Sequence, residues 1–230
     1  MKAMLVTGEE NLVWSEVPDP VPAAGEALVE IHAAGVNRAD ILQRRGTYPS
    51  PKGCPPWMGL EVAGVVTALG EGVSRFRAGD RVCALLGGGG YAEKVCVPEG
   101  MLMPIPKGLS FETAAALPEA YATCYLNLFY EGGLRPGETL FFPAGASGLA
   151  SVGIPMAKAF GAYVITSVLS AEKKAQIAHL RADVVIDSSR EDAAEVLAAQ
   201  AGDGHPVDVV PESERYVTEG AHPALVGDGL

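Results

Sequence analysis

Two clusters of small and polar residues are the places in this chain where chemistry could be done. The first is Asn37 to Tyr48, which reads NRADILQRRGTY. Asn37 brings an amide and Tyr48 a phenol, two neutral donors of the sort that hold a carbonyl oxygen while charge builds on it. The same letters also read as a short helix capped by Asn37, ended at Gly46 and followed by a Pro-rich loop to Pro56. The second cluster is PAGASG, Pro143 to Gly148, in which no side chain is bulky. A phosphate must come close to backbone N–H groups, and small residues let it do so. At the three places of the G-x-G-x-x-G dinucleotide fingerprint stand Gly145, Ser147 and Ala150, so only the first glycine is kept. Any strand-to-helix crossover with a tight turn produces similar letters.

These residues need elements to hold them. Thr139 to Phe142 is a short apolar and β-branched run that stops at Pro143, and it reads as a buried parallel strand. From Leu149 onward the large apolar residues Leu149, Val152, Met156 and Phe160 recur at spacings of three and four, one face of a helix that Gly161 ends. Ala150, in the place of a glycine, is expected to crowd this helix against its strand, and Pro155 to strain it against the carbonyl of Ser151. Tyr163 to Thr166 is a second strand, and Ser170 could cap a helix beyond it. Strand, turn, helix, strand is the nucleotide-binding βαβ unit.

Upstream the pattern is different. Met1 to Val6 and Leu12 to Val17 read as a hairpin around Gly8-Glu9-Glu10-Asn11, and Pro18, Pro20 and Pro22 then break regular structure. Glu26 to Gly35 is a further strand, in which His32 is most simply a strand residue of an antiparallel sheet. Several short strands ahead of the first βαβ unit imply a mostly β N-terminal domain.

Composition narrows the classes. With 230 residues, 48% hydrophobic and 20% charged, the chain can bury the core of one large or two modest domains. A net charge of -11 argues against a nucleic-acid partner, because such binding leans on Lys and Arg. The N-terminus turns acidic too soon for a signal peptide, and no apolar run approaches the roughly 20 residues of a membrane helix. A cytoplasmic protein without a membrane partner is expected. Cys54, Cys83, Cys96 and Cys124 form no C-x2-C pair, and the four histidines show no metal-binding spacing, so no metal is expected.

A third pattern runs from Gly59 through Glu61, Gly64 and Gly70 to Val73, as G-x-E-x2-G-x5-G-x2-V. With it the chain resembles the medium-chain dehydrogenase/reductase superfamily. The zinc enzymes of that superfamily have His after the first glycine, where this chain has Leu60, and a cysteine ligand where it has Asn37. It also lacks their cysteine-rich structural lobe, which points to the zinc-independent quinone oxidoreductase branch. Asn37-x-x-Asp40, Gly46-x-Tyr48, Gly79-Asp80-Arg81-Val82, Gly89-Gly90-Tyr91-Ala92-Glu93, and Pro118-Glu119 with Thr123 are similar to the branch's pattern.

The resemblance implies an α/β chain: a GroES-like, mostly β catalytic domain over residues 1–121, then an incomplete Rossmann domain, a doubly wound parallel sheet, over 122–230, with the active cleft between them. It implies that Asn37 and Tyr48 hydrogen-bond the oxygen of a quinone, that Thr123 approaches the nicotinamide carboxamide, and that Gly148 and Leu149 face the pyrophosphate. An NAD-preferring fold usually has Asp or Glu at the end of the second strand; here that place is Ser167, followed by Ser170 and Lys173, which suit the 2′-phosphate of NADPH. Lys173 and Lys174 as a merely solvated helix start is the competing reading. The expected function is therefore NADPH-dependent reduction of quinones. The alternatives are an alkenal or enoyl reductase, or a non-catalytic relic of the fold. A homodimer joined through Rossmann edge strands is a family expectation. Thr139 to Leu230 suffices for one of the two mononucleotide-binding halves, so a sequence incomplete at its C-terminus is expected.

Overall fold

Along β3 (Glu26–Ala34) the side chains of Ala27 and Val29 turn inward while Glu30 and His32 face solvent, the period of two that a half-covered strand imposes. In the computed structural model, which describes residues 1–8 and 11–211, this strand lies inside a five-stranded antiparallel sheet. Its order is β6 (Lys94–Pro98), β3, β4 (Glu61–Leu69), β5 (Arg81–Leu85), β7 (Leu102–Pro104). Val29, Val62, Val66, Val82, Val95, Val97 and Leu102 form its core. The opposite face is covered by α2 (Phe111–Ala115), whose Ala114 and Ala115 pack on Ala63 and Cys83. A separate hairpin, β1 (Lys2–Thr7) with β2 (Asn11–Glu16), pairs from Lys2 opposite Glu16 to Thr7 opposite Asn11. The turn expected between them at Glu9-Glu10 lies outside the described residues.

Gly64 shows how tightly β3 and β4 are joined. A Cβ there would stand 2.0 Å from the Glu30 carbonyl oxygen, next to a shift in the β3–β4 register between Ile31 and Ala33.

The chain divides into two compact units, Met1–Glu119 and the residues from Ala120 onward. The second begins within α3 (Pro118–Tyr125), which runs on into a π-helical turn at Leu126–Glu131. Its sheet is parallel, in the order β10 (Val184–Asp187), β9 (Tyr163–Val168), β8 (Thr139–Phe142), and Val209 bridges to Leu140 along the free edge of β8. Two strands to one side of the first and the next segment on the other is the start of the Rossmann order. Val207 to Val210, apolar but for Asp208, takes part in the sheet only through that single bridge.

The helix between β8 and β9, α4 (Gly148–Phe160), corrects the reading of its faces. Leu149, Val152 and Met156 are only partly buried, and Phe160 is 43% exposed. Ala150, Gly153, Ile154 and Ala157 are the residues fully against the sheet. Three of those four are small, so the helix axis comes closer to the strands than large side chains would allow. Ala150 fits with no exposure, and Gly153 carries the tightest contact, since a Cβ there would stand 2.4 Å from the ring edge of Phe142. Pro155 lies on the exposed face, and the helix continues through it. A Gly153→Ala variant is expected to lose about 1–3 kcal/mol of stability through overpacking against Phe142, despite the better helix propensity of alanine. Denaturant unfolding of the two proteins measures the difference.

Candidate functional site

Candidate residues stand in both units, and those of the first gather around two buried acids. Asp40 and Glu61 are 2% and 3% exposed, in positions where an unpartnered carboxylate would be costly. The partners come from three segments. Glu61 Oε1 accepts from Asn37 Nδ2 at 2.8 Å, and Glu61 Oε2 accepts from the Glu119 backbone N–H at 2.9 Å. Asp40 Oδ2 accepts from the Asn37 backbone N–H at 2.7 Å, which closes the start of α1 (Arg38–Arg44), and from the Tyr91 hydroxyl at 2.8 Å. Asp40 Oδ1 has no hydrogen-bond partner among the described residues.

Glycines make room for this cluster. A Cβ on Gly35 would lie 2.1 Å from Glu61 Oε1. Gly59 has φ of +104° and meets the Tyr91 backbone nitrogen, so a side chain there is excluded twice over.

The acids act on their neighbours. Burial first, then the Asp40 bond and the Asp40 and Glu61 charges, push the Tyr91 phenol well above its usual range, so it stays a donor. Burial, then repulsion from Glu61 and Asp40, raises the Glu119 carboxyl. Asn37 is therefore held at both its backbone and its side chain, and the side-chain amide points its nitrogen at Glu61. Tyr48, by contrast, is 47% exposed on the loop after α1, with no hydrogen bond to Asn37 among the described residues. Sequence reasoning assigned no role to Glu61, Asp40, Tyr91 or Glu119, although all four stand in the quoted motifs. An acid, Glu61, inside the otherwise apolar run Met58 to Val66 was the available signal.

In the second unit, Pro143 follows the end of β8, Ala144 takes a left-handed φ of 52°, and Ser147 caps α4 by accepting from the Ala150 N–H at 3.1 Å. Gly145 is buried: its own N–H donates to the Ser167 carbonyl at 2.8 Å, and a Cβ would stand 2.4 Å from Thr166 Oγ1. This glycine serves contact with β9. Gly148 is the open one, exposed and with no atom within 4 Å of a Cβ built on it. The N–H groups of Gly148 and Leu149, in the first turn of α4, have no acceptor among the described residues. Two free donors at a helix start with open space before them fit a phosphate.

The remaining candidates lie near by in sequence. Ser170 caps α5 (Ala171–Gln176), accepting from the Lys173 N–H at 3.3 Å, and its own hydroxyl proton is left to donate. Lys173 is exposed. Thr123 lies half-buried on α3, its carbonyl accepting from Asn127 Nδ2 at 2.8 Å. Among the described residues no cluster of three or more His, Cys, Asp or Glu could hold a metal, and no helix is long and apolar enough to cross a membrane.

Comparison with known proteins agrees with this architecture. Residues 23–107 match the alcohol dehydrogenase GroES-like domain. The quinone oxidoreductase-like protein 2 homolog of Nematostella vectensis is 38% identical over 82% of this chain and 52% of its own length. The Escherichia coli quinone oxidoreductase solved with NADPH is 34% identical, with a TM-score of 0.79 over 92% of this chain and 65% of that one. A structure described as an NAD-dependent alcohol dehydrogenase is 33% identical, with a TM-score of 0.80 over 91% of this chain and 70% of that one. The chain spans about half the length of the first curated relative. A GroES-like sheet followed by a parallel βαβ unit is the architecture of the medium-chain dehydrogenases and reductases. The chain belongs to the quinone oxidoreductase branch of that superfamily.

The raised Glu119 carboxyl gives a pH-dependent expectation. Because its folded pKa lies above the unfolded one, its stabilising contribution is complete below the ordinary glutamate pKa and is lost as pH rises through the folded value. Glu119→Gln removes a charge that burial and two acids oppose. The variant is expected to melt higher than the parent at neutral and alkaline pH, and the gain is expected to vanish under acid conditions where Glu119 is already neutral. Thermal melts at a series of pH values check both limits.

Proposed function

We propose that the protein is an NADPH-dependent reductase of quinones that works without zinc. The observation that carries the reading is the pair of unfilled N–H groups on Gly148 and Leu149 beside the open Gly148 position. They suit the pyrophosphate of a dinucleotide, with Gly145 keeping the turn close to β9. When bound, NADPH supplies a hydride, and a proton from solvent or a side chain completes the two-electron reduction of the quinone.

The chain's own residues bind and orient. Ser147 fills the third N–H of α4 and so leaves the first two for the phosphates. The Ser170 hydroxyl and the Lys173 ammonium suit the 2′-phosphate, and Thr123 suits the carboxamide. In the first unit Asn37 and Tyr48 are the neutral donors for the quinone oxygen as it gains charge. Zinc independence is supported by the residues in the ligand places: Leu60 is a buried hydrocarbon, and the Asn37 amide already donates to Glu61.

Gly148→Glu tests the phosphate site directly. An acid in the first turn suits the helix dipole, so the melting temperature should hold or rise slightly, while NADPH affinity should fall about tenfold or more through charge repulsion. Fluorescence titration with NADPH and a quinone-coupled NADPH oxidation assay read the two effects. A parent protein that neither binds NADPH nor oxidises it with any quinone would overturn the proposal. For the cofactor preference, Lys173→Ala is expected to weaken NADPH binding several-fold and leave NADH binding unchanged, since only the former has a 2′-phosphate for the ammonium to meet. Equal loss for both cofactors would remove Lys173 from the site.

A further inference from the structure

We infer that Glu61 is a positioning residue, whose task is to hold the side-chain amide of Asn37 in one of its two orientations. The inference rests on the reading of Asn37 as a group that meets the substrate. An asparagine amide is nearly symmetrical in shape, so packing alone does not decide whether its nitrogen or its oxygen points in a given direction. An ionised carboxylate decides it, because it can only accept.

Both oxygens of Glu61 are used in this way. Oε2 takes the Glu119 backbone N–H at 2.9 Å, which fixes the rotation of the carboxylate, and Oε1 then faces Asn37 Nδ2 at 2.8 Å. The Asn37 backbone is fixed separately, through its N–H to Asp40 Oδ2 at 2.7 Å. Gly35 closes the fourth side, where any side chain would displace Oε1. Asn37 consequently turns Oδ1 away from Glu61, toward the Asp40 backbone N–H at the start of α1, and leaves its second Nδ2 proton for a bound molecule. The amide at this position thus presents a donor in a fixed direction.

Glu61→Gln reverses that orientation while keeping the shape. The glutamine oxygen remains on the Glu119 N–H, its NH2 group faces Asn37, and donor against donor drives the Asn37 amide to turn over. Gly35→Ala reaches the same end without changing any charge, because the new Cβ pushes Oε1 away. It therefore serves if Glu61→Gln fails to fold.

The test uses the full chain, labelled with nitrogen-15, and begins with the side-chain amide protons of Asn37, assigned as the pair that disappears in Asn37→Ala. In Glu61→Gln and in Gly35→Ala this pair is expected to move toward the position of a freely solvated asparagine. A pair unmoved in both variants overturns the inference. Kinetics then read the consequence: Glu61→Gln should lower kcat for NADPH-dependent quinone reduction about tenfold and leave the NADPH dissociation constant within about twofold. In an Asn37→Ala background the same change should cost less than about twofold more, because the two residues act as one unit. Effects that multiply would show that Glu61 acts independently of Asn37 and would overturn the positioning role. Should the parent show no NADPH-dependent activity, the functional reading falls, and the amide spectra still decide the orientation.

Discussion

A carboxylate removed from water must be given hydrogen-bond donors, and in this protein that requirement organises the first unit. Glu61 stands at the head of β4 with almost no exposure. Its two oxygens are satisfied from Asn37, just before α1, and from Glu119, in the first turn of α3. Neither donor is a sheet neighbour of Glu61. The sheet fixes where the acid is, and the acid fixes where two irregular segments must come. Asp40 and Tyr91 repeat the arrangement one step further out, so the polar residues form a connected set in which Asn37 donates to both acids. Polar networks of this kind specify geometry well because each unmade bond is expensive.

The second unit solves a different problem, that of bringing a helix close to a parallel sheet and leaving its first turn free. Ala150, Gly153 and Ala157 give the close approach, and the ring of Phe142 fills the space at Gly153. Gly145 and Gly148, three residues apart, divide the work of the turn. The first exists for contact with Thr166 on β9, the second for openness. Ser147 lies between them and caps the helix without using its first two donors. Small residues at a nucleotide turn are thus small for two unrelated reasons, and letters alone do not separate them.

Much of the fold was legible in the sequence because it is local. The run Thr139 to Phe142, the turn, the 3.6-residue period and the second apolar run give the βαβ unit directly, and β9 proves longer than expected by two residues, to Val168. The buried face of α4 was misread because a hydrophobic period counts large residues, whereas close helix-to-sheet contact selects small ones. The acids escaped for the opposite reason. Glu61 meets partners 24 and 58 residues away, and no single sequence says which distant N–H will arrive. Asn37 was found as a candidate, but its grip by Glu61 and Asp40 was not. Tyr48 was found as a donor, and its exposure belongs to a loop whose course the Pro-rich letters leave open.

The span of the Glu61 contacts also bears on how the first unit assembles. The pairings of β4 with β3 and with β5 join neighbours in sequence, whereas β3 with β6 joins residues more distant than Glu61 and Glu119. The bond from Glu119 closes a loop of 58 residues and becomes available only after the whole sheet has been made. During synthesis every strand of the sheet, and Asn37 with it, therefore leaves the ribosome before Glu119 does, and α3 brings the last donor to the acid at the head of the central strand.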